Sequence, residues 1–280
     1  MESAGFLGAL SRAAMRAPRI TIPIDAPALA RGVGFFETLL VAGRRAVFFD
    51  AHLARLARSC AALGVPAPGR ARVKTASAGA LREARRGEEY GMRWSYLAIA
   101  RDLDSPRSWR FFAMLFPIPA EILRKRKGVR AVTLPRGWER STPRWKTIDY
   151  RASIAGARLA HHRAAEEGIF VDERGRVREG TASNVFRLSG TLAWTAPDSA
   201  ALLPGVVRSW VIEHARLAGL EVRERSFAAD RLRGGGFFTS SLTGVAPIES
   251  LNGLACAPPS LPFNALRELY REAVSREGRR

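Results

Sequence analysis

The sequence predicts an α+β protein of two domains. Strand-like apolar runs and two helical patterns share the first part of the chain, and strands and helices recur in the second part. Between them, Pro117 and Pro119 are followed by a basic run, which is the strongest break in the chain. We therefore expect a small α+β domain over residues 1–118, a linker over 119–127 and a larger mixed α/β domain over 128–280.

The first domain is predicted from a hairpin, two helices and two further strands. Strands are expected over 35–41 and 46–49, joined by a turn at Ala42 and Gly43. Asp50 can cap a helix that Gly64 ends, and a second helix is plausible over 72–86. The apolar, β-branched and aromatic runs over 94–100 and 109–116 favour strands.

The second domain alternates the two kinds of element. Helices are predicted over 154–167, ended by Gly168, over 206–218, ended by Gly219, and over 262–276. Short strands are predicted over 169–171 and 220–225, and a hairpin is predicted from strands over 184–188 and 191–194.

Composition excludes several classes of protein. No apolar run approaches the roughly 20 residues that cross a bilayer, so we expect a soluble chain. The first twenty residues carry three arginines and weakly resemble a transit peptide, but they lack the features of a secretory signal, which favours a cytoplasmic protein. Cys60 and Cys256 alone predict neither a disulfide framework nor a zinc site.

The formal net charge of +19 suggests attraction to phosphate groups and opens the possibility of nucleic-acid binding. The arginines are scattered, however, and the densest cluster, 124–127, lacks the interleaved aromatic residues that stack on bases. Specific nucleic-acid binding is therefore not predicted. His161 and His162 are adjacent on a predicted helix, where neighbouring side chains diverge, so no metal site is predicted either.

Lysine is rare in this basic chain: only Lys74, Lys125, Lys127 and Lys146 accompany the many arginines. A guanidinium stays protonated and cannot form a Schiff base, so a retained lysine is a candidate for amine chemistry. Lys146, beside Trp145, is one such candidate, although a solvated surface lysine is the ordinary alternative for any single position.

An ordered series of motifs resembles the class IV aminotransferase family and covers nearly the whole chain from Arg31 to Gly253. The motifs are RGVGFFET at 31–38, HLARL at 52–56, KTIDY at 146–150, EGTASNVF at 179–186, LPGVVR at 203–208 and TSSLTGVAP at 239–247. The resemblance implies the fold of a type IV pyridoxal-phosphate enzyme, similar to D-amino-acid aminotransferase, and a homodimer.

The resemblance also implies roles for site residues. Lys146 is expected to hold pyridoxal 5'-phosphate and to move the proton between the substrate carbon and the cofactor. Glu179 is expected to pair with the pyridine nitrogen, since a carboxylate there keeps the ring protonated. Tyr150 is expected near the phenolic oxygen of the cofactor, although its spacing from the lysine varies among subfamilies.

The cofactor phosphate requires charged and backbone donors. The resemblance assigns it to Arg55 and to Ser241 with the amide of Leu242. The turn before the helix over 206–218 adds the amides of Val206 and Val207, which point toward an anion with the helix dipole behind them.

Several activities stay open within the family. The chain lacks the arginine expected after Tyr96 in a branched-chain enzyme, and it lacks the arginine and histidine pair of D-amino-acid enzymes around 105–109. The lead-in over 29–34 is also abbreviated. We expect an aminotransferase that acts on a small amino acid with a keto acid acceptor. The alternatives are 4-amino-4-deoxychorismate lyase and, more distantly, an inactive relative or a basic nucleic-acid-binding protein.

Overall fold

The computed structural model describes residues 20–198 and 202–279. Expectations for the first nineteen residues lie outside this range. The chain forms two compact units, one through Leu123 together with the residues from Ser275 onward, the other Arg124–Val274. The break falls inside the linker expected over 119–127, which contains the short helix α4 (Ala120–Lys125). The C-terminal residues group with the first unit, whereas the sequence assigned them to the second domain; the expected domain division remains a prediction.

The first unit is built on a four-stranded antiparallel sheet in the order β2-β1-β3-β4. Its strands are β1 (Gly34–Ala42), β2 (Arg45–Ala46), β3 (Tyr90–Ala98) and β4 (Trp109–Pro117). Alternate residues of β3, namely Met92, Trp94, Tyr96 and Ala98, are fully buried. This period of two directs one face of the sheet toward the core.

Three helices accompany this sheet: α1 (Pro27–Arg31), α2 (Phe49–Ala62) and α3 (Arg70–Leu81). Leu56 and Cys60 of α2 and Val73 of α3 join the core beneath the sheet. The abbreviated lead-in of the sequence forms α1, which ends at Gly32 in the left-handed conformation that glycine adopts without strain.

The second unit contains a nine-stranded mixed sheet in the order β10-β9-β8-β11-β12-β5-β6-β7, with β13 paired to β12. Three neighbouring pairs are parallel: β10 with β9, β12 with β5, and β5 with β6. The strands are β5 (Val129–Thr133), β6 (Glu167–Val171), β7 (Val177–Gly180), β8 (Asn184–Ser189), β9 (Leu192–Thr195), β10 (Glu221–Glu224), β11 (Gly236–Ser240), β12 (Gly244–Leu251) and β13 (Leu254–Ala255). The predicted α+β class is confirmed.

The helices of the second unit are α5 (Arg151–His162) and α6 (Val206–His214), and α7 (Leu261–Arg279) begins in it. Phe263 at the start of α7 packs on Phe237 of β11, with ring centroids 5.1 Å apart. At its other end, within the first unit, α7 brings the backbone of Gly278 against Gly43. A Cβ on Gly43 would lie 2.2 Å from the Gly278 carbonyl oxygen, so this close approach requires glycine.

Several boundaries differ from the sequence prediction; the helix expected over 72–86, for example, runs from Arg70 to Leu81. The strand expected over 46–49 is wrong beyond Ala46, because Phe48 takes the left-handed conformation and begins α2 as its N-cap in place of Asp50. The helix expected over 154–167 ends at His162, and Glu167 begins strand β6 instead. A buried ion pair holds Glu167 there, and a contact so distant in sequence is not visible in helical periodicity.

Candidate active site

Lys146 lies in the irregular segment between β5 and α5, in the second unit. Its Nζ stands 5.8 Å from the ring centroid of Tyr150, which directly precedes α5. The Tyr150 hydroxyl donates to the carbonyl oxygen of Thr181 at 3.1 Å, so the ring is fixed from the turn that follows β7. This hydrogen bond joins the segment that carries Lys146 to the turn that follows β7.

The carboxylate of Glu179 lies in the same unit, on β7, and is almost fully buried. Oε1 accepts a hydrogen bond from Nε of Arg140 at 2.9 Å and lies 2.8 Å from Nη2 of the same arginine, and Oε2 accepts a hydrogen bond from the Leu203 amide at 3.0 Å. Burial raises the pKa of Glu179 above its usual value, and Arg140, the Leu203 amide and Lys146 offset only part of this rise. This carboxylate therefore keeps an affinity for a further positive charge.

Burial also raises the pKa of Tyr150, and the nearby carboxylates of Glu167 and Glu179 act in the same direction, against Arg140. The hydroxyl is consequently neutral at physiological pH. A neutral phenol has one proton to donate, which is the property needed beside a phenolate oxygen. Tyr150 donates this proton to the Thr181 carbonyl, so a hydrogen bond to a cofactor would replace that partner.

The predicted anion site at the start of α6 adjoins Glu179. Leu203, which donates to Glu179, precedes Val206 by three residues, and the N-cap Gly205 has no side chain to cap the helix amides. Asn184 donates through Nδ2 to the Leu203 carbonyl at 2.8 Å. A Cβ on Gly205 would lie 2.0 Å from the Asn184 Oδ1, so only glycine fits this turn. Val206 and Val207 are both buried as the first residues of the helix.

Ser241 and Leu242 lie in the turn between β11 and β12. The residue pairing of Thr239 with Asn184 places the end of β11 beside the start of β8. The turn therefore belongs to the same end of the sheet as the Asn184 side chain that holds Leu203. Arg126 tightens the turn by donating from Nε to the Leu242 carbonyl at 2.9 Å.

Arg55 lies in the first unit, on α2, where it is buried. Its Nε donates to Glu37 Oε1 at 2.8 Å and its Nη2 to Glu37 Oε2 at 2.5 Å, while His52 Nδ1 lies 2.8 Å from the same Oε2. Burial by itself would raise the pKa of Glu37, but Arg55 and His52 lower it to about 2. The guanidinium is thus held rigidly in a charged cluster, and its role toward phosphate stays a prediction.

Four contributors were not predicted from the sequence. Arg140, Glu37 and His52 received no role, although Glu37 and His52 stand inside motifs that the sequence singled out. Lys125 was equally missed: its Nζ lies 2.9 Å from the buried Glu167, whose other oxygen accepts from Thr181 Oγ1 and the Ala182 amide. Burial would raise the pKa of Glu167, but Lys125 and these hydrogen bonds lower it below its usual value. For Lys125, the rarity of lysine in the sequence was the available signal.

Among the described residues, no group of histidine, cysteine and acidic side chains could hold a metal ion. Within that same range no helix has the length and apolar character needed to cross a membrane.

Comparison with known proteins gives consistent matches. The model of the family described as "Amino-transferase class IV" matches residues 34–251. A "Bifunctional aminodeoxychorismate lyase / D-amino acid transaminase" of Mycobacterium tuberculosis is 30% identical over 89% of this chain and 91% of its own length. A "D-alanine aminotransferase" of Bacillus licheniformis is 25% identical over 87% of this chain and 89% of its own. A structure described as "A hypothetical aminotransferase from Mycobacterium tuberculosis, PLP-bound form" has a TM-score of 0.83 at 28% identity and covers 92% of this chain and 95% of that one.

Proposed function

This chain belongs to the class IV aminotransferase family, and from that premise we propose that it binds pyridoxal 5'-phosphate at Lys146 and transfers the amino group of a small amino acid to a keto acid. One observation carries the proposal. The Lys146 amine, the ring of Tyr150 and the incompletely compensated carboxylate of Glu179 are assembled in one unit, beside the glycine-capped start of α6.

The donor set fits this cofactor part by part. A primary amine is present for the aldehyde, a buried carboxylate for the cationic ring, a neutral phenol for the phenolate oxygen and helix amides for the phosphate. Once bound, pyridoxal phosphate supplies an electron sink for the carbanion that forms when the substrate loses a proton.

Lys146 has two tasks in this proposal. Its amine would hold the cofactor covalently and, once released, would move the proton at the substrate carbon. Lys146 is half-buried, with its Nζ 5.8 Å from the ring centroid of Tyr150, so the amine lies beside the residue expected near the phenolic oxygen of the cofactor.

Glu179 holds a proton on the ring nitrogen. A buried carboxylate with a raised pKa gains most from a cationic partner, since the pairing removes the cost of its burial. The Leu203 amide orients Oε2, so the same backbone segment that leads into α6 also aims the carboxylate.

We assign the phosphate to backbone and side-chain donors. The amides of Val206 and Val207 supply oriented N–H groups with the helix dipole behind them. Ser241 and the Leu242 amide supply a second set from the β11–β12 turn, which Arg126 holds. Arg55 is proposed as the cationic donor, kept in a single orientation by Glu37.

The names of the relatives bear on the substrate. One relative is named for D-alanine and another for D-amino acids, which supports a small amino donor and makes the D-enantiomer the first to test. The M. tuberculosis relative is also named for aminodeoxychorismate lyase, so this lyase is the second candidate function. The family resemblance implies in addition a homodimer, and sedimentation showing only monomer would contradict it. The cytoplasmic location, which was expected from the composition of the first twenty residues, stays a prediction.

Two assays separate the candidates. We expect amino transfer from a small amino acid only when a keto acid is supplied. Release of pyruvate from aminodeoxychorismate without an added keto acid would instead support the lyase. Lys146→Ala should abolish either activity, whereas Lys127→Ala, which replaces an exposed lysine, serves as the matched control and should change neither. Retained activity in Lys146→Ala would contradict the proposal.

A further inference from the structure

We propose that Arg140 is a positioning residue that keeps Glu179 charged and ties it to the segment carrying Lys146. The inference rests on the proposed function, because it concerns the carboxylate that would face the cofactor ring. Neither the motifs of the family quoted above nor the comparisons assign a role to Arg140.

The first support is how Arg140 contacts the carboxylate. Its Nε donates to Oε1 and its Nη2 lies 2.8 Å from the same oxygen, whereas the Leu203 amide donates to Oε2. An ionised carboxylate has about four acceptor positions, two on each oxygen. The Leu203 amide occupies one position on Oε2, the second position on that oxygen remains, and both contacts of Arg140 are to Oε1 instead. The arginine therefore neutralises the carboxylate without covering the oxygen that a ring N–H needs.

The second support is the other end of the guanidinium. Arg140 Nη2 also donates to the Pro143 carbonyl, three residues before Lys146. This segment, between β5 and α5, has no regular helix or strand to hold it. Its other short-range bonds are local, from Ser141 to Asp149 and between Thr142 and Thr147. Arg140 joins the segment to β7, and so fixes the lysine relative to the glutamate.

The third support is the charge environment. The charged and titratable groups facing Glu179 are Arg140, Lys146 and Tyr150, and Tyr150 also faces Glu167. Of these, Arg140 is the cation whose charge does not depend on pH, because a guanidinium keeps its proton, whereas a lysine nitrogen bound to a cofactor can be neutral or protonated. Without Arg140 the buried carboxylate would take up a proton, and a neutral acid could not hold a protonated ring.

The inference predicts a change in cofactor binding and in its pH dependence. Arg140→Met should weaken pyridoxal phosphate binding at least about tenfold, as loss of one partner of a buried pair does. It should also move the pH midpoint of the visible band of the lysine-bound cofactor upward, because a ring nitrogen that a neutral Glu179 no longer keeps protonated would cease to oppose protonation of the lysine nitrogen. Arg140→Lys keeps the positive charge, so its pH midpoint should lie close to that of the wild type.

The controls distinguish this role from a general structural one. Arg144→Met removes an arginine of the same segment that pairs with Asp198 at the surface, and it should change neither affinity nor midpoint. If Arg140→Met does not fold, Arg140→Gln, which keeps a donor but no charge, takes its place in both titrations.

Two failures can be told apart. If wild-type protein forms no lysine-bound cofactor, the proposed function itself is wrong. If wild type binds the cofactor and the Arg140 variants keep its affinity and pH midpoint while only their thermal unfolding temperature falls, Arg140 is merely structural and the inference is overturned.

Discussion

Each unit of the molecule buries a glutamate beside an arginine, but the two carboxylates differ in how completely the protein compensates them. Glu37 in the first unit receives Arg55 on both oxygens and His52 on one, and its pKa falls to about 2 despite burial. Glu179 in the second unit receives Arg140 on one oxygen and a single amide on the other, and burial leaves its pKa above the usual value.

The difference separates a carboxylate that holds the protein together from one prepared for a ligand. Glu167 supports this distinction, since Lys125, Thr181 and the Ala182 amide all donate to it and its pKa is lowered. Among the buried glutamates of the described residues, only Glu179 has a raised pKa. All three glutamates are buried, so the number of donors on each carboxylate oxygen, and not burial, distinguishes Glu179 from the other two.

The largest expected effect is on the stability of the first unit. Glu37→Gln leaves Arg55 buried without its counter-charge and should lower the free energy of unfolding by about 3–5 kcal/mol, measured by urea denaturation. Arg70→Gln, which removes an exposed ion pair with Asp50 in the same unit, is the control and should leave the transition unchanged. A loss in Glu37→Gln no larger than in the control would mean that the cluster does not stabilise the fold.

Glu179→Gln should act on chemistry instead. The amide has the shape of the acid but no charge to keep the ring protonated, so we expect the rate of amino transfer at saturating cofactor to fall by about 10²–10³. Glu221→Gln, at an exposed position of β10, is the matched control. An unchanged rate of amino transfer in Glu179→Gln would mean, contrary to our proposal, that Glu179 is no more important for the chemistry than Glu37.

The pH dependence of unfolding should have opposite signs for the two residues in protein freed of cofactor. The Glu37 pKa is lowered from 4.5 to about 2, so its contribution of about 3 kcal/mol is present above pH 4.5 and is lost as pH falls toward 2. The pKa of Glu179 is raised, so its contribution is present below pH 4.5 and is lost as pH rises through the raised value.

Urea denaturation between pH 2 and 8 checks both signs. Subtracting the curve of Glu37→Gln from that of wild type should leave a term that disappears in acid, whereas the same subtraction for Glu179→Gln should leave one that disappears toward neutral pH. If the contributions of Glu37 and Glu179 to the free energy of unfolding changed with pH in the same direction, the proposed difference between the two carboxylates would be wrong.

A smaller effect is expected at His52. His52→Phe removes one hydrogen bond to Glu37 but leaves both contacts of Arg55, so the free energy of unfolding should fall by about 1–2 kcal/mol in the same urea assay. A loss as large as that of Glu37→Gln would show that the histidine, not the arginine, dominates the cluster.

Local sequence was sufficient for much of this architecture. Lys146, Glu179 and the turn before Val206 stand in short motifs whose resemblance to a family predicts their roles without a structure. The hairpin of β8 and β9 follows from two strand-like segments joined by a Ser-Gly turn. The partners of these residues could not be predicted. Arg140 lies 39 residues from Glu179 and Lys125 lies 42 from Glu167.

The misplaced boundary at Glu167 has the same origin. Glutamate favours helices and was assigned to one, but the bonds that fix it in β6 come from distant residues. Helix propensity depends on residues that are adjacent in sequence, whereas the partners that compensate a buried charge are seen only in the tertiary structure.

The most direct test of the central claim is borohydride reduction of the protein incubated with pyridoxal phosphate, followed by peptide mapping. Only four lysines are available, so the assignment is unambiguous. We predict a visible absorption band that reduction abolishes and a pyridoxyl group on Lys146. Absence of the band, or an adduct only on Lys74, Lys125 or Lys127, would contradict the account.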